Sequence, residues 1–313
     1  MQREFNNEHQ GVLQDSILFD GRDSRGNILP EGQYSALLTL LYQNGYNPNT
    51  RSPFFTLDIT PPSARVNPEY RVFSPNGDGR RETLTFAQDS SQEDEWEGAI
   101  LDSQGRVIKK YYWPGKAETT VTWDGRRDDN TLAADGIYTY SIFSVDRAGN
   151  RGESAPVSIE LSTLETPVSI SVDYNAFSPN ANGVRDTLPI RPKLTVARNV
   201  EWYNISVVSE AGSVVRTFSG RGMPEPVFEW NGLNDSGARV QDGIYYVTLE
   251  MEYWNGNKPT ARTPELILDR VAPEAVIAAN YTVFSPDGDG NKDTITFEVK
   301  RATPEDRWKA EVK

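Results

Sequence analysis

The sequence has no cysteine and a single histidine. The first absence removes disulfides, thiolate zinc sites and cysteine nucleophiles. The second removes any multi-histidine metal site, and any Ser-His-Asp triad except one built on His9. His9 lies in a polar N-terminal segment without a repeated counterpart, so it reads as a solvent-exposed tail residue. Long hydrophobic runs are also absent: none approaches the roughly 18 apolar residues a membrane helix needs. The nearest is Ala36 to Tyr42, which has the length of a strand and is interrupted by Thr39. The residues after Met1 are polar and charged, unlike a signal peptide. Positive charge is scarce, with 32 Lys and Arg against 45 Asp and Glu, a net charge of −13. That balance argues against binding nucleic-acid backbones or inserting into anionic membrane surfaces. It suits an acidic protein that meets divalent cations. A cysteine-free chain of this kind fits a bacterial envelope or extracellular protein.

What the chain does have is repetition. It reads FSPNGDGRRETLTF from Phe73, FSPNANGVRDTLPI from Phe177 and FSPDGDGNKDTITF from Phe284, with starts 104 and 107 residues apart. A second marker keeps the same beat. Trp123-Asp124-Gly125 and Trp230-Asn231-Gly232 each lead to an Asp-Gly-Ile-Tyr, and Gly136 and Gly243 each lie 13 residues after their Trp. Phe19-Asp20-Gly21 leads in the same way to Gly32, again 13 residues on. Two independent markers with one domain-sized period define a tandem array. The length of 313 residues fits two or three domains of this size.

Within a period the pattern is all strand. Thr83 to Phe86 alternates polar and apolar, as a half-buried strand does. Glu95–Leu101 and Arg106–Trp113 read as strands joined by the Asp-Ser-Gln-Gly turn, followed by Thr119–Trp123, Ile137–Val145 and Pro156–Leu161. About seven short strands in about 100 residues, with no helical pattern, predict an immunoglobulin-like sandwich. The expected architecture is therefore all-β, a row of immunoglobulin-like β-sandwich repeats of about 105 residues joined by short Pro-containing linkers. Such a row should behave as a semi-rigid rod.

Residues 61–164 and 165–270 read as complete repeats, whereas 1–60 read as the second half of a repeat and 271–313 as the first half. In the opening half, Gln33 to Gln43 is expected as one long strand and Phe54 to Ile59 as another. In the closing half, Trp308 stands 24 residues after Phe284, as Trp96 and Trp202 stand 23 and 25 residues after Phe73 and Phe177. The chain thus reads as a piece of a longer array, with other domains of a parent chain as its first partners. The alternative is that the two halves complement each other head to tail between molecules, a contact that builds filaments.

The Trp-Asp-Gly to Asp-Gly-Ile-Tyr pattern, preceded by a hairpin of the form Asp-Ser-Gln-Gly-Arg-Val-Ile, resembles the Ig-like domain of the flagellar hook-capping protein and its relatives. FSPNGDG with a following Thr is similar to the opening of C-terminal domains in gliding-motility-associated and secreted bacterial proteins. The resemblance is to the domain and not to the hook-capping protein, whose Ig-like unit is not repeated in this way. It implies a segment of a large periplasmic, cell-surface or secreted bacterial protein, structural or adhesive and not enzymatic, with a cell-surface protein or glycan as further partner.

Two groups of residues stand out as candidate sites. Asp287, Asp289, Asn291 and Asp293 alternate as the oxygen ligands of a calcium loop do. The first copy keeps Asn76, Asp78 and Glu82, and the second Asn180, Asn182 and Asp186. Where the calcium loop has its turn glycine, Arg81, Arg185 and Lys292 stand instead. The competing reading is that Asx and Gly residues simply form tight turns here. The second group is aromatic. Trp96, Trp202, Trp308, Trp123 and Trp230 recur and are expected in cores. Trp113 with Tyr111, and Trp254 with Tyr253, do not recur and are the candidates for exposed ligand platforms. Asp135 and Asp242, with Glu31 in the first copy, read as turn residues before a core strand.

Overall fold

The computed structural model describes residues 4–5, 16–304 and 307–313; His9 lies outside them. All regular structure among the described residues is β-strand, and no helix there is long and apolar enough to cross a membrane. The chain divides into two compact units. One runs to Glu165 and takes in Trp254–Asn257; the other holds Thr166–Tyr253 and Lys258 onward.

The first unit opens with four short strands, β1 (Gly32–Tyr34), β2 (Leu37–Thr39), β3 (Asn49–Arg51) and β4 (Phe55–Leu57). A complete sandwich follows: β5 (Ala64–Pro68), β6 (Val72–Phe73), β7 (Leu84–Ser90), β8 (Glu95–Asp102), β9 (Val107–Pro114), β10 (Thr120–Trp123), β11 (Gly136–Val145), β12 (Arg151–Glu153) and β13 (Val157–Leu161). One sheet has the order β10-β7-β5 and the other β6-β13-β11-β8-β9, with β12 on the far part of β11. The second unit repeats this plan with β14 (Val168–Val172), β15 (Ala176–Phe177), β16 (Leu188–Leu194), β17 (Val200–Ser209), β18 (Val214–Arg221), β19 (Phe228–Trp230), β20 (Gly243–Tyr253), β21 (Thr260–Arg262) and β22 (Leu266–Leu268). Its sheets run β14-β16-β19 and β15-β22-β20-β17-β18, with β21 on β20. The hairpin β23 (Ala275–Ala279) and β24 (Phe297–Ala302) comes last.

Alternation explains why these residues make sandwiches. In β7, Leu84, Phe86, Gln88 and Ser90 point inward, and in β10 so do Val121 and Trp123. The inward rings meet: Trp123 lies 5.2 Å from Phe73 and 5.1 Å from Tyr138. Trp230 repeats the arrangement with Phe177 at 5.1 Å and Tyr245 at 5.2 Å. Each Trp donates its indole N–H to a backbone carbonyl three residues on, Arg126 at 2.8 Å and Leu233 at 2.9 Å. A buried Trp is thereby satisfied at its polar edge while its rings fill the core. Tyr138 donates to the Ala134 carbonyl and Tyr245 to the Gln241 carbonyl, both at 2.6 Å, a tyrosine corner in each sandwich. Tyr34 makes the same bond to the Pro30 carbonyl.

Two expectations need correction. Gln33 to Gln43 is not one long strand but β1 and β2, bonded separately to β4 and β3. The equivalent β11 stays continuous because β8 bonds along its other edge; no described strand pairs with β1 or β2 there. Trp308 is not in a core: it is exposed, as is every residue of β24.

Candidate functional site

The three FSP loops are built alike. In the first, the Asn76 Oδ1 accepts from the Asp78 amide at 3.0 Å and the Asp78 carboxylate from the Arg80 amide at 2.8 Å. The two Glu82 oxygens then accept from the Gly77 and Gly79 amides at 3.0 and 2.9 Å. In the second, Asp186 takes the Ala181 and Gly183 amides, both at 2.7 Å, while Asn180 and Asn182 form the two Asx turns. In the third, Asp293 takes the Gly288 and Gly290 amides, both at 2.8 Å, and Asp287 and Asp289 cap Asp289 and Asn291. Two Asx turns closed by one carboxylate leave few of the loop's amides unbonded, which is what the turn reading requires.

The residues at the missing glycine positions complete this device. Arg81, Arg185 and Lys292 all have left-handed backbone, with φ of 46°, 51° and 56°. Each holds its charge over a tyrosine three residues before the FSP phenylalanine. Arg81 lies over Tyr70 at 5.0 Å, Arg185 over Tyr174 at 4.9 Å and Lys292 over Tyr281 at 5.0 Å. A cation–π contact helps to hold a backbone conformation that side chains other than glycine rarely adopt. Sequence reasoning missed this pairing, although the tyrosines carry the same 104 and 107 spacing.

The third loop alone brings three carboxylates together. Among the described residues, Asp287, Asp289 and Asp293 are the group whose oxygens lie within 4.8 Å of one another. An all-oxygen, triply negative donor set suits a hard cation. The first loop offers Asp78 and Glu82 beside two arginines, and the second a single carboxylate, Asp186.

A second recurring arrangement lies where the chain leaves each repeat. Asp135 accepts from the Thr163 amide and hydroxyl, both at 2.9 Å. Asp242 accepts from the Arg270 amide at 2.8 Å and pairs with its guanidinium. Glu31 accepts from the Ile59 amide at 2.9 Å and the Thr60 hydroxyl at 2.6 Å. These bonds, the Thr60 hydroxyl first and then the Ile59 amide, hold the Glu31 carboxyl below its ordinary value. The carboxylate-to-amide span is 28 residues in all three copies. The Asp-Gly residues are thus exit clasps as well as turns, a role that no local pattern announces.

The aromatic candidates separate. Trp113 is buried at 6% exposure, so the expected platform does not form there. Its ring lies parallel to Tyr111 at 5.9 Å, and Tyr111 is itself partly buried against the core. Burial pushes the Tyr111 phenol far above its ordinary value, with the Asp124 and Asp128 charges adding to the shift. Tyr253 is also buried, its hydroxyl donating to the Val196 carbonyl at 3.0 Å. Of the four, Trp254 alone keeps a large exposed ring, at 47%. Among the recurring tryptophans, Trp96, Trp123 and Trp230 are fully buried. Trp202 is half-buried and donates to Glu252 at 2.8 Å.

The fold therefore defines tandem immunoglobulin-like β-sandwiches. Residues 75–147 and 179–256 each match the family model described as the FlgD Ig-like domain, one match in each sandwich. No curated protein matches the chain in sequence. Among solved structures, a tetra-tandem repeat from the extending region of a large adhesion protein overlaps 79% of this chain at 18% identity with a TM-score of 0.33. The chain spans 60% of the length of that structure. Fibronectin(III)-like modules of Clostridium thermocellum CbhA overlap 63% of this chain and 92% of their own, at 13% identity and a TM-score of 0.35. A structure of a 1.5-MDa bacterial ice-binding adhesin overlaps 71% of this chain and 70% of its own, at 14% identity and a TM-score of 0.36.

Proposed function

We propose that this chain is a non-enzymatic spacing segment of a larger bacterial envelope or secreted protein, setting distance and presenting loops outside the cytoplasm. The observation that carries the reading is the exit clasp, written three times with one 28-residue span. A repeated bond between the entry of the Tyr-bearing strand and the departing chain serves repeats that transmit position from one to the next. Single-molecule pulling tests it. Each complete sandwich should release about 105 residues, roughly 350 Å of chain, in one step. Asp135→Ala should lower the unfolding force of one of the two steps. Unresolved steps, or an unchanged force in the variant, would sink the reading.

One observation favours a second reading, a carbohydrate- or protein-binding array: the exposed ring of Trp254, which could stack on a sugar. Glycan capture lost in Trp254→Ala would put that reading first. Calcium enters at one place, the loop from Phe284, where Asp287, Asp289 and Asp293 would hold it and Asn291 could add an oxygen. Calorimetric titration of the intact chain should then show a single site, lost in Asp289→Ala. No heat would leave the loop as turn chemistry.

A further inference from the structure

The second sandwich has a groove at a place where the first sets an ion pair. It measures about 520 Å³ and lies between the end of β17, the start of β18, the loop after Trp230 and the entry of β20. A volume of that order suits a small molecule. At the matching place in the first sandwich, Asp102 accepts from the Arg106 amide at 2.9 Å and from its Nε at 2.7 Å. The counterparts 107 residues on are Ser209 and Ser213, which carry no charge. The Ser213 amide donates to the Ser209 hydroxyl at 3.2 Å, which keeps the turn without the ion pair.

The loop that walls the groove has also exchanged two side chains. A bridge closes this loop in each copy, pairing Arg22 with Ile28, Arg126 with Leu132 and Leu233 with Arg239. In the first two copies the arginine stands on the outgoing arm and donates to the loop's own carbonyls, Gly26 and Asn130, both at 2.9 Å. In the third the arginine stands on the returning arm, and Arg239 lines the groove. Among the described residues, neither the Arg239 guanidinium nor the Gln241 carboxamide beside it has a hydrogen-bond or ionic partner. The acceptors around them are committed. Asn234 Oδ1 accepts from the Ser236 amide and hydroxyl at 3.1 and 2.8 Å and from the Ala238 amide at 2.8 Å. Asp235 accepts from the Thr217 amide at 3.0 Å and pairs with Arg216 at 3.5 Å. The groove thus has donors to spare, one of them charged, on a chain whose net charge is −13.

We infer that this groove binds a sugar carboxylate. A planar carboxylate answers the guanidinium fork with two parallel hydrogen bonds. Hydroxyls on the same ligand answer Gln241 and the Ser209 hydroxyl, which a simple aliphatic acid would leave unanswered. Val214 and Val240 give the carbon face of the ring an apolar wall. An extended peptide has no strand to join here. The Asp235 amide donates to the Val215 carbonyl at 3.1 Å and its carboxylate takes the Thr217 amide, so the loop already occupies this stretch of the β18 edge. The site lies within one sandwich and does not rest on the spacing role.

Sodium glucuronate is the probe, titrated to about 50 mM into the full chain and followed by amide NMR shifts, a range that reads millimolar contacts. Saturating shifts are expected at Ser209, Ser236 and Gln241, with none at their counterparts Asp102, Asp129 and Ala134. Glucose, which lacks the charge, and acetate, which lacks the ring, should each bind about tenfold more weakly or worse. Arg239→Leu should abolish saturation; the residue is exposed, so the near-UV signal of the second sandwich should stay. Ser209→Asp with Ser213→Arg writes the ion pair of the first sandwich into the second and should also abolish it. Wild-type shifts that never saturate would overturn the inference. So would saturation retained in either variant, or glucose or acetate binding as tightly as glucuronate.

Discussion

The two complete sandwiches share one strand plan and fill one part of it in opposite ways. In the first, Trp113 of β9 lies over Gly98 of β8. A Cβ at Gly98 would meet the Trp113 ring at 2.7 Å and the Tyr140 hydroxyl at 3.0 Å. In the second, the large residue is on the other strand. Tyr203 of β17 lies over Gly220 of β18, where a Cβ would meet the Tyr203 hydroxyl at 2.6 Å. Each sandwich thus sets a ring over a glycine across this ladder, diagonally in the first, where Trp113 pairs with Trp96 and Gly98 with Tyr111, and directly in the second, where Tyr203 pairs with Gly220. Their charges differ too. In the first sandwich Asp89, Asp94, Asp102, Asp129 and Asp146 are all held below the ordinary carboxylate value. In the second, Asp173 is held below it by the Arg191 side chain. Ser209 and Tyr253 stand at the repeat positions of Asp102 and Asp146.

The largest test of this comparison removes one ring. Trp113→Ala should destabilise the first sandwich by about 3–5 kcal/mol, the range for a buried large-to-small change. The second unfolding transition should stay in place, as followed by urea titration. Gly220→Ala should do the mirror experiment, lowering the second transition by about 1–3 kcal/mol through overpacking. If either variant lowers both transitions equally, the sandwiches do not unfold independently and the comparison fails.

Acid should separate the two more gently. The causes in the first sandwich are, in turn, the Lys116 side chain on Asp89, the Arg147 guanidinium on Asp94, the Arg106 amide on Asp102, the Thr131 hydroxyl on Asp129 and the Asn150 amide group on Asp146. A carboxylate with a depressed folded pKa adds stability in full above its unfolded value, about 4, and loses it as pH falls through the folded value. Lowering the pH from about 6 to 3 should therefore lower the melting temperature of the first sandwich more than that of the second. Salt should shrink the ion-paired part of the difference, Asp89 with Lys116 and Asp94 with Arg147, and leave the hydrogen bonds to Thr131 and Asn150 in place. A larger acid loss in the second sandwich would contradict the assignment.

Much of the fold was legible because strand alternation and turn residues are local. Thr83 to Phe86, Thr119 to Trp123 and Ile137 to Val145 fall on β7, β10 and β11. Trp113 was misjudged for a physical reason. Its compensating residue, Gly98, sits on the neighbouring strand, 15 positions away in sequence, where no one-dimensional period links them. Trp113 has no repeated Trp because its counterpart is Gly220, over which Tyr203 of the paired strand lies. The tyrosine–cation pairs are hidden in the sequence because Arg81, Arg185 and Lys292 read there only as departures from a calcium loop. Their left-handed backbone supplies the turn that a glycine would otherwise give. The exit clasps escaped because their partners lie 28 residues on.

Those clasps bear on how such a chain can grow or shrink. From the glycine beside each clasp carboxylate to the next FSP phenylalanine, Gly32 to Phe73, Gly136 to Phe177 and Gly243 to Phe284, the count is 41 residues every time. From the FSP phenylalanine to the following clasp glycine it is 63 in one repeat and 66 in the other. The two repeats differ in length entirely within their own bodies, and not at all across the passage from one to the next. Insertions are absorbed by sandwich loops, whereas the clasped exit and the strand that follows behave as a gauge of fixed length. A change of even one residue between Gly136 and Phe177 would alter that gauge, while a longer hairpin inside a sandwich would leave it untouched.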